Sequence, residues 1–161
     1  MMASPPVLSP AVLDLNAHIL PGIHGATPDI GASVDAARTL AGSGVLAAVT
    51  PALLGPNPGD DIARADVARR DLQRALADET VPLDLLPGAV IPFEAVAELD
   101  PDVLLGSTIG NGGRWVMVAL PDAGWPLALP QALLSLEANR MGMVIAHPER
   151  SESVQIGRAH V

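Results

Sequence analysis

The sequence contains no cysteine and no lysine. Without cysteine the chain has no disulfide, no thiolate nucleophile and no thiolate metal site. Without lysine it has no ammonium group for a Walker-type phosphate loop, a kinase active site or a Schiff base. These enzyme classes are therefore excluded, and any metal ion must bind to histidine, carboxylate or amide groups.

Aromatic residues and positive charge are also scarce. One Phe, two Trp and no Tyr leave few rings on which nucleic-acid bases could stack. The 9 basic residues are all arginine and face 18 acidic residues, which gives a formal charge of −9 and disfavours nucleic-acid binding. No apolar run approaches the roughly 20 residues that cross a bilayer, and the proline-rich start has no basic residue of a signal peptide. We expect a cytoplasmic protein without membrane insertion.

The order of apolar runs indicates an α/β fold. The 161 residues fit one domain. Short apolar runs bounded by Gly, Pro or Asn predict buried strands at Val12 to Leu15, Val45 to Thr50, Val81 to Leu86, Trp115 to Leu120 and Met143 to Ala146. Helical patterns lie between several of them, at Ile30 to Ala41, Asp60 to Asp78 and Leu129 to Arg140. This alternation predicts parallel strands covered by helices, in an open sheet or a barrel.

The first polar cluster follows the first predicted strand. Asp14, Asn16 and His18 are two residues apart, so in an extended segment their side chains point to the same side. Ligands of parallel α/β folds bind beyond the carboxyl ends of the strands, where this cluster lies. Its residue types suit either a metal pocket or hydrogen bonds to the backbone of a turn.

The second polar cluster follows the last predicted strand. His147 is suited to bind a metal or move a proton, and Glu149 is suited to orient the His147 ring. Arg150 is suited to donate two parallel hydrogen bonds to phosphate oxygens. The alternative is structural, with a loop salt bridge between Glu149 and Arg150 and with His147 capping a turn. The residues alone leave both alternatives open.

Together the two clusters resemble a known family. The PHP (polymerase and histidinol phosphatase) superfamily includes the bacterial metal-dependent protein-tyrosine phosphatases of capsule and exopolysaccharide operons. These open with Asp-x-His-x-His-Ile-Leu-Pro-Gly-x-Asp-Asp-Gly, and the matching stretch runs from Asp14 to Ala26. Thr50-Pro51-Ala52 stands where the family has Thr-Pro-His, and Ala146 to Arg150 matches the family's Ala-His-Pro-Glu-Arg in full. The resemblance extends over about residues 11 to 155.

The resemblance implies a fold and a chemistry. It implies a partial PHP-type (β/α)7 barrel with helices outside and up to three divalent ions, manganese, iron or zinc, at the carboxyl face. A bridging water or hydroxide would attack a phosphomonoester on a phosphorylated protein or small molecule while the metals and an arginine absorb charge. It also implies residue roles: metal ligands among His18, His147, Asp14 and His24, catalytic roles for His147 and Arg150, and substrate binding by Arg150.

Several positions depart from the family pattern. Asn16 replaces the first family histidine, His24 replaces an aspartate after Pro-Gly, and neutral residues occupy three further ligand positions, Gly25, Ala52 and Val90. An amide is a poor ligand for these metals, and alanine and valine are none. The substitutions predict reduced or lost phosphatase activity with one metal or none. The alternatives are a non-catalytic pseudophosphatase that binds a phosphorylated ligand or partner, and a decayed copy without function.

The last residues have a separate interpretation. Ile156 to Val161 can be back-translated into a common sequencing-library adapter, so we expect residues 156–161 to be an adapter-derived tail and give His160 no role. Residues 1–155 would then be a phosphatase domain that lacks its C-terminal part, including a later Asp-x-His of the metal site. The oligomeric state is left open.

Overall fold

The computed structural model describes residues 12–25, 27–121 and 126–150, so the proposed tail at 156–161 lies outside the described residues. The described strands are β1 Val12–Asp14, β2 Val45–Val49, β3 Ala52–Leu53, β4 Asp84–Leu86, β5 Ala89–Pro92, β6 Trp115–Ala119 and β7 Gly142–Ala146. The α-helices are α1 Ile30–Gly42, α2 Pro58–Asp78, α3 Pro101–Gly106 and α4 Leu129–Ala138. Short 3-10 turns lie at Phe93–Ala95, Ile109–Asn111 and Pro148–Arg150.

The seven described strands are segments of five longer ones. Thr50 N–H donates to Leu86 O at 2.9 Å, and Ala52 N–H donates to Gly88 O at 2.9 Å. These bonds carry parallel pairing across the breaks between β2 and β3 and between β4 and β5. The five longer strands overlap the five predicted apolar runs, although the third begins at Asp84 rather than Val81 and continues to Pro92. After the third run, β5 continues the parallel pairing and includes Val90.

Every strand pair is parallel, and spatial order follows chain order. β1 pairs with β2 and β2 with β4, while β3 pairs with β5, β5 with β6 and β6 with β7. A helix follows each of the first four long strands, which confirms the predicted mixed α/β class with parallel strands and helices around them. Because every described strand pair is parallel, the carboxyl ends of the described strands lie at the same edge of the sheet.

Two clusters of buried apolar side chains cover the two faces of the sheet. On one face a small cluster contains Val49, Val90, Met117 and Ala146. On the other, the helices pack on a larger cluster to which α2 contributes Leu72 and Leu76, both with 0% of their surface exposed. Gly88 lies at the β4–β5 break because a Cβ there would meet Val49 Cγ1 at 2.8 Å. In the described residues, no helix has the length and apolarity needed to cross a membrane.

Helix ends follow local signals. The Asp29 carboxylate caps α1 by accepting from Ala32 N–H at 2.8 Å. α2 begins at Pro58, two residues before the predicted start, because proline suits the first helical position. α4 ends at Ala138 rather than at the predicted Arg140, which adopts a left-handed φ of 57°. The short helix α3 was not predicted, although Asp100 caps it directly before Pro101.

Candidate functional site

Three histidine rings meet at the carboxyl edge of the strands. His18 follows β1, His24 lies in the loop after it, and His147 follows β7. The rings of His18 and His24 are stacked with centroids 4.7 Å apart, and His147 meets His18 edge-on at 5.4 Å. The structure therefore brings together the two clusters that the sequence analysis singled out, across 129 positions of chain between His18 and His147.

The Asn16 side chain lies between two of these rings. Its Nδ2 is 3.0 Å from His147 Nε2, and its Oδ1 is 3.0 Å from His18 Nε2. An amide nitrogen only donates and an amide oxygen only accepts, so His147 Nε2 carries a lone pair and His18 Nε2 carries a proton. One neutral amide thus sets the tautomers of both rings, in the position where the family has a metal-binding histidine.

Glu149 fixes the His147 ring from its other side. His147 Nδ1 is 3.0 Å from Glu149 Oε1, and with Nε2 accepting from Asn16 the Nδ1 proton is donated to this carboxylate. The opposite orientation of the Asn16 amide would leave a neutral His147 Nδ1 lone pair against the carboxylate, which is unfavourable. The pKa of Glu149 is lowered, first by a hydrogen bond from its own backbone and then by the His147 side chain. The predicted orienting role of Glu149 matches this contact.

His147 also has an unusual backbone. Its φ of 48° is left-handed, a conformation that few non-glycine residues adopt, and its carbonyl accepts from Arg150 N–H at 3.0 Å. Such conformations persist where surrounding contacts over-determine them, and they cluster at functional sites. The turn projects the ring back over the strand ends, and it holds the exposed Arg150 next to the cluster.

His24 has a structural environment. It is 3% exposed, Leu20 N–H donates to its Nδ1 at 3.0 Å, and its Nε2–H donates to Pro51 O at 3.0 Å. Thr27 Oγ1 donates to Leu20 O at 3.0 Å and closes the same loop. Both ring nitrogens of His24 are therefore used by backbone groups, and the ring is neutral.

The charges around these rings favour neutral imidazoles. Burial lowers the pKa of His18, and the nearby His147 and Arg150 lower it further while Asp14 opposes them. Burial also lowers the pKa of His24, against the hydrogen bond to Pro51. Arg150 follows His147 in the same turn, and its charge disfavours protonation of His18.

These pKa values predict a pH dependence of stability. Because the pKa of His18 and His24 lies below the unfolded value of about 6.5, the unfolded chain binds protons first as the pH falls. We expect thermal melts to move to lower temperature between about pH 7 and about pH 5.5. A His24→Gln variant, which lacks one of the two rings, should show a shallower decline. A melting temperature that is constant or rises on acidification over this window would contradict the assignment of neutral rings.

The His, Asp and Glu side chains of the described residues are not arranged to hold a metal ion. Within residues 12–25, 27–121 and 126–150, no group of three His, Asp or Glu side chains is placed to hold one. His24 has no free lone pair, His147 Nε2 faces an amide N–H, and Asp14 Oδ1 accepts from Asn16 N–H at 2.9 Å. The assignment of Asp14, His18, His24 and His147 as ligands stays a prediction that this arrangement does not support.

The other substituted family positions bring no metal-binding atom. Ala52 begins β3 with 1% of its surface exposed. Val90 packs in the small apolar cluster with Val49, Met117 and Ala146. Gly25 is exposed in the loop next to His24. Two features of the site escaped the sequence analysis: the bridging amide of Asn16 and the Pro51 carbonyl that accepts from His24. For the Asn16 amide, the one indication in the sequence was the period-two spacing of Asp14, Asn16 and His18.

Comparison with known proteins gives one consistent relationship. No family model matches the chain. It is 25% identical over 146 residues to the tyrosine-protein phosphatase YwqE of Bacillus subtilis, which covers 89% of this chain and 57% of that protein. Its fold matches a solved structure from work on YwqE and on CpsB of Streptococcus pneumoniae, described as metal-dependent tyrosine phosphatases. That match has a TM-score of 0.75 at 23% identity, over 90% of this chain and 59% of the other.

The chain thus spans somewhat under three fifths of the length of the relatives that it matches. Sequence and fold point to the same proteins. The resemblance inferred from the two clusters is confirmed, because the chain is similar in sequence to the tyrosine phosphatase YwqE and in fold to a structure from the work on YwqE and CpsB.

Proposed function

We propose that this chain is a pseudophosphatase of the PHP superfamily, which binds a phosphorylated ligand at the carboxyl edge of its strands and does not catalyse metal-dependent hydrolysis. The observation that carries the proposal is the Asn16 amide, which is hydrogen-bonded at 3.0 Å to the Nε2 atoms of both His18 and His147. A metal ion held by these two atoms would have to displace the amide, and the tautomer of His18 would have to change.

Phosphate binding in this proposal depends on Arg150. A guanidinium group binds two phosphate oxygens through parallel N–H donors and requires no metal. Arg150 is exposed and its charge acts on His18, so a phosphoryl group bound there would lie beside the histidine cluster. Both ring nitrogens of His147 are hydrogen-bonded, to Glu149 and to Asn16, which leaves Arg150 as the cation of this turn that meets an incoming anion.

The ligand class follows from the relatives. YwqE and CpsB are tyrosine phosphatases, so the proposed ligand is a phosphotyrosine side chain of a protein, with small phosphomonoesters as simpler analogues. A role in exopolysaccharide regulation, a cytoplasmic location, and a domain of residues 1–155 followed by an artificial tail are parts of the same proposal.

A second function is favoured by one observation. His18 and His147 still meet at the strand ends with their rings 5.4 Å apart, and Asp14 ends the neighbouring strand β1. If a divalent manganese, iron or zinc ion displaced the Asn16 amide, the site would be a weakened phosphatase. The two functions differ in one property, because only the second requires metal for its effect on phosphotyrosine.

Binding of a phosphotyrosine peptide tests the first function. We expect measurable affinity in the presence of EDTA. Arg150→Met should lower that affinity about tenfold or more, because a pair of charge-assisted hydrogen bonds to phosphate is lost. The matched control is Arg140→Met, which removes an exposed arginine at the end of α4. Isothermal titration calorimetry with the phosphorylated and unphosphorylated peptide gives the two affinities.

Two results would contradict the proposal. Equal loss of affinity in the two arginine variants would remove Arg150 from the site. Release of phosphate from the peptide that is abolished by EDTA and restored by manganese would establish the second function instead.

A further inference from the structure

A second pocket lies between the two edges of the sheet. Among the described residues β1 pairs on one side, with β2, and β7 pairs on one side, with β6. The 3.0 Å contact between Asn16, after β1, and His147, after β7, shows that the sheet curls until these two edges approach each other. The pocket has a volume of about 410 Å³, which is within the range of small-molecule sites.

The walls of this pocket are mainly apolar and can be reached from solvent. They are formed by residues at the end of β1, on β6 and β7 and in the turn before β6, namely Leu15, Ile109, Gly112, Arg114, Trp115 and Val144. Ile109 and Val144 pack on the small apolar cluster, so the floor of the pocket continues into the core. Leu15 and Trp115 expose 38% and 51% of their surface, so a ligand can reach both.

The Trp115 ring lies against the backbone of β7. Trp115 pairs with Gly142, and a Cβ at Gly142 would meet Trp115 Cε3 at 2.6 Å. The glycine therefore makes room for the indole at the edge of the pocket. An apolar ligand that covers the exposed part of this ring would remove a large apolar surface from water, which favours binding.

The charge at the pocket favours an anion. Arg114 is the one charged residue in its lining, and it is exposed. Its side chain forms no hydrogen bond or ion pair with a described residue, whereas ion pairs are formed by Arg38, Arg64, Arg69, Arg70 and Arg74. An apolar pocket with a free guanidinium at its rim is complementary to a molecule that has an apolar body and one negative group.

We propose that this pocket binds a small amphipathic carboxylate, whose apolar body lies against Leu15 and Trp115 and whose anionic group pairs with Arg114. The planar guanidinium can donate two parallel hydrogen bonds to a carboxylate. The site is independent of the proposed function, because it uses no residue of the histidine cluster. It lies below that cluster, since Val144 precedes His147 by three positions, roughly 10 Å along an extended strand.

The test uses the fluorescence of Trp115 in the full chain. The sequence has two tryptophans, so Trp125→Phe leaves Trp115 as the one reporter. We expect a saturable shift of its emission to shorter wavelength on titration with sodium octanoate, because an apolar chain replaces water at a half-exposed indole. Calorimetry on the chain with both tryptophans should give the same affinity without the Trp125 change.

Two further probes and two variants separate the charge from the apolar chain. Sodium acetate has the charge without the chain and 1-octanol has the chain without the charge, so each should bind about tenfold or more weakly than octanoate. Arg114→Met keeps an apolar stem and removes the guanidinium. It should weaken octanoate binding about tenfold or more and leave octanol binding unchanged. Arg74→Met removes an exposed arginine of α2 outside the pocket and should change neither affinity.

Four outcomes would overturn the proposal. Trp115 emission could respond to octanoate no more than to acetate at matched ionic strength. Arg114→Met and Arg74→Met could bind octanoate equally well, which would remove Arg114 from the site. Binding that disappears in Arg150→Met would place the carboxylate at the phosphate site proposed above, whereas binding retained in Arg150→Met separates the two sites. Emission that changes with protein concentration and not with octanoate would show that a second copy of the chain covers the pocket.

Discussion

Replacing His24 by leucine should destabilise the fold by about 2–6 kcal/mol. The variant removes the acceptor of Leu20 N–H and the donor to Pro51 O, and both partners are buried. A buried polar backbone group left without a partner costs about 1–3 kcal/mol, and two such groups give the range stated. The free energy of unfolding from urea denaturation measures the effect.

The matched control for this prediction is His18→Leu. His18 is partly buried, and the hydrogen bond that it loses is to the Asn16 side chain, which lies near the surface and can bind water instead. The cost should stay near the net value of one ordinary hydrogen bond, about 0.5–1.5 kcal/mol. If the two leucine variants were equally stable, His24 would not be the structural residue that its two backbone contacts indicate.

The second large effect is a gain of metal binding in Asn16→His. In the wild type both Nε2 atoms, of His18 and His147, face the same amide at 3.0 Å. An imidazole at position 16 would place a third nitrogen ligand between them, and three protein ligands with a water molecule form a typical catalytic zinc site. We expect about one zinc ion per chain in this variant.

Asn16→Leu is the control that isolates the third ligand. It releases both Nε2 atoms from the amide but adds no donor, so its zinc affinity should remain weak. Cobalt substitution supplies an independent readout, because a tetrahedral nitrogen site gives visible absorption that a loosely bound ion does not. Equal zinc binding by the histidine and leucine variants would show that the third nitrogen ligand does not create the site.

Much of the fold follows from local sequence signals. Each of the five predicted apolar runs overlaps one of the five long strands, because continuous Val, Leu and Ala segments suit strands of a covered parallel sheet. The breaks within two of them were not predictable. They depend on Gly88 lying against Val49, a contact between distant positions that leaves no periodic pattern.

The site was only partly predictable. The period-two spacing of Asp14, Asn16 and His18, and the turn after β7, correctly marked the residues that meet at the strand ends. The hydrogen bond between Asn16 and His147 joins residues 131 positions apart, and the partners of His24 are backbone atoms that any sequence possesses. The resemblance therefore indicated which residues meet at the strand ends, whereas the hydrogen-bond partner of each ring nitrogen required the structure.

The central claim is that a hydrogen-bonded amide takes the place of a metal at the histidine cluster. The most direct test is the divalent metal content per chain, measured by elemental mass spectrometry on protein purified with manganese, iron and zinc in the medium. We expect metal far below one ion per chain, and no difference between the wild type and His147→Ala. Close to one ion or more per chain in the wild type, lost in His147→Ala, would contradict it and identify the chain as a metal-binding phosphatase.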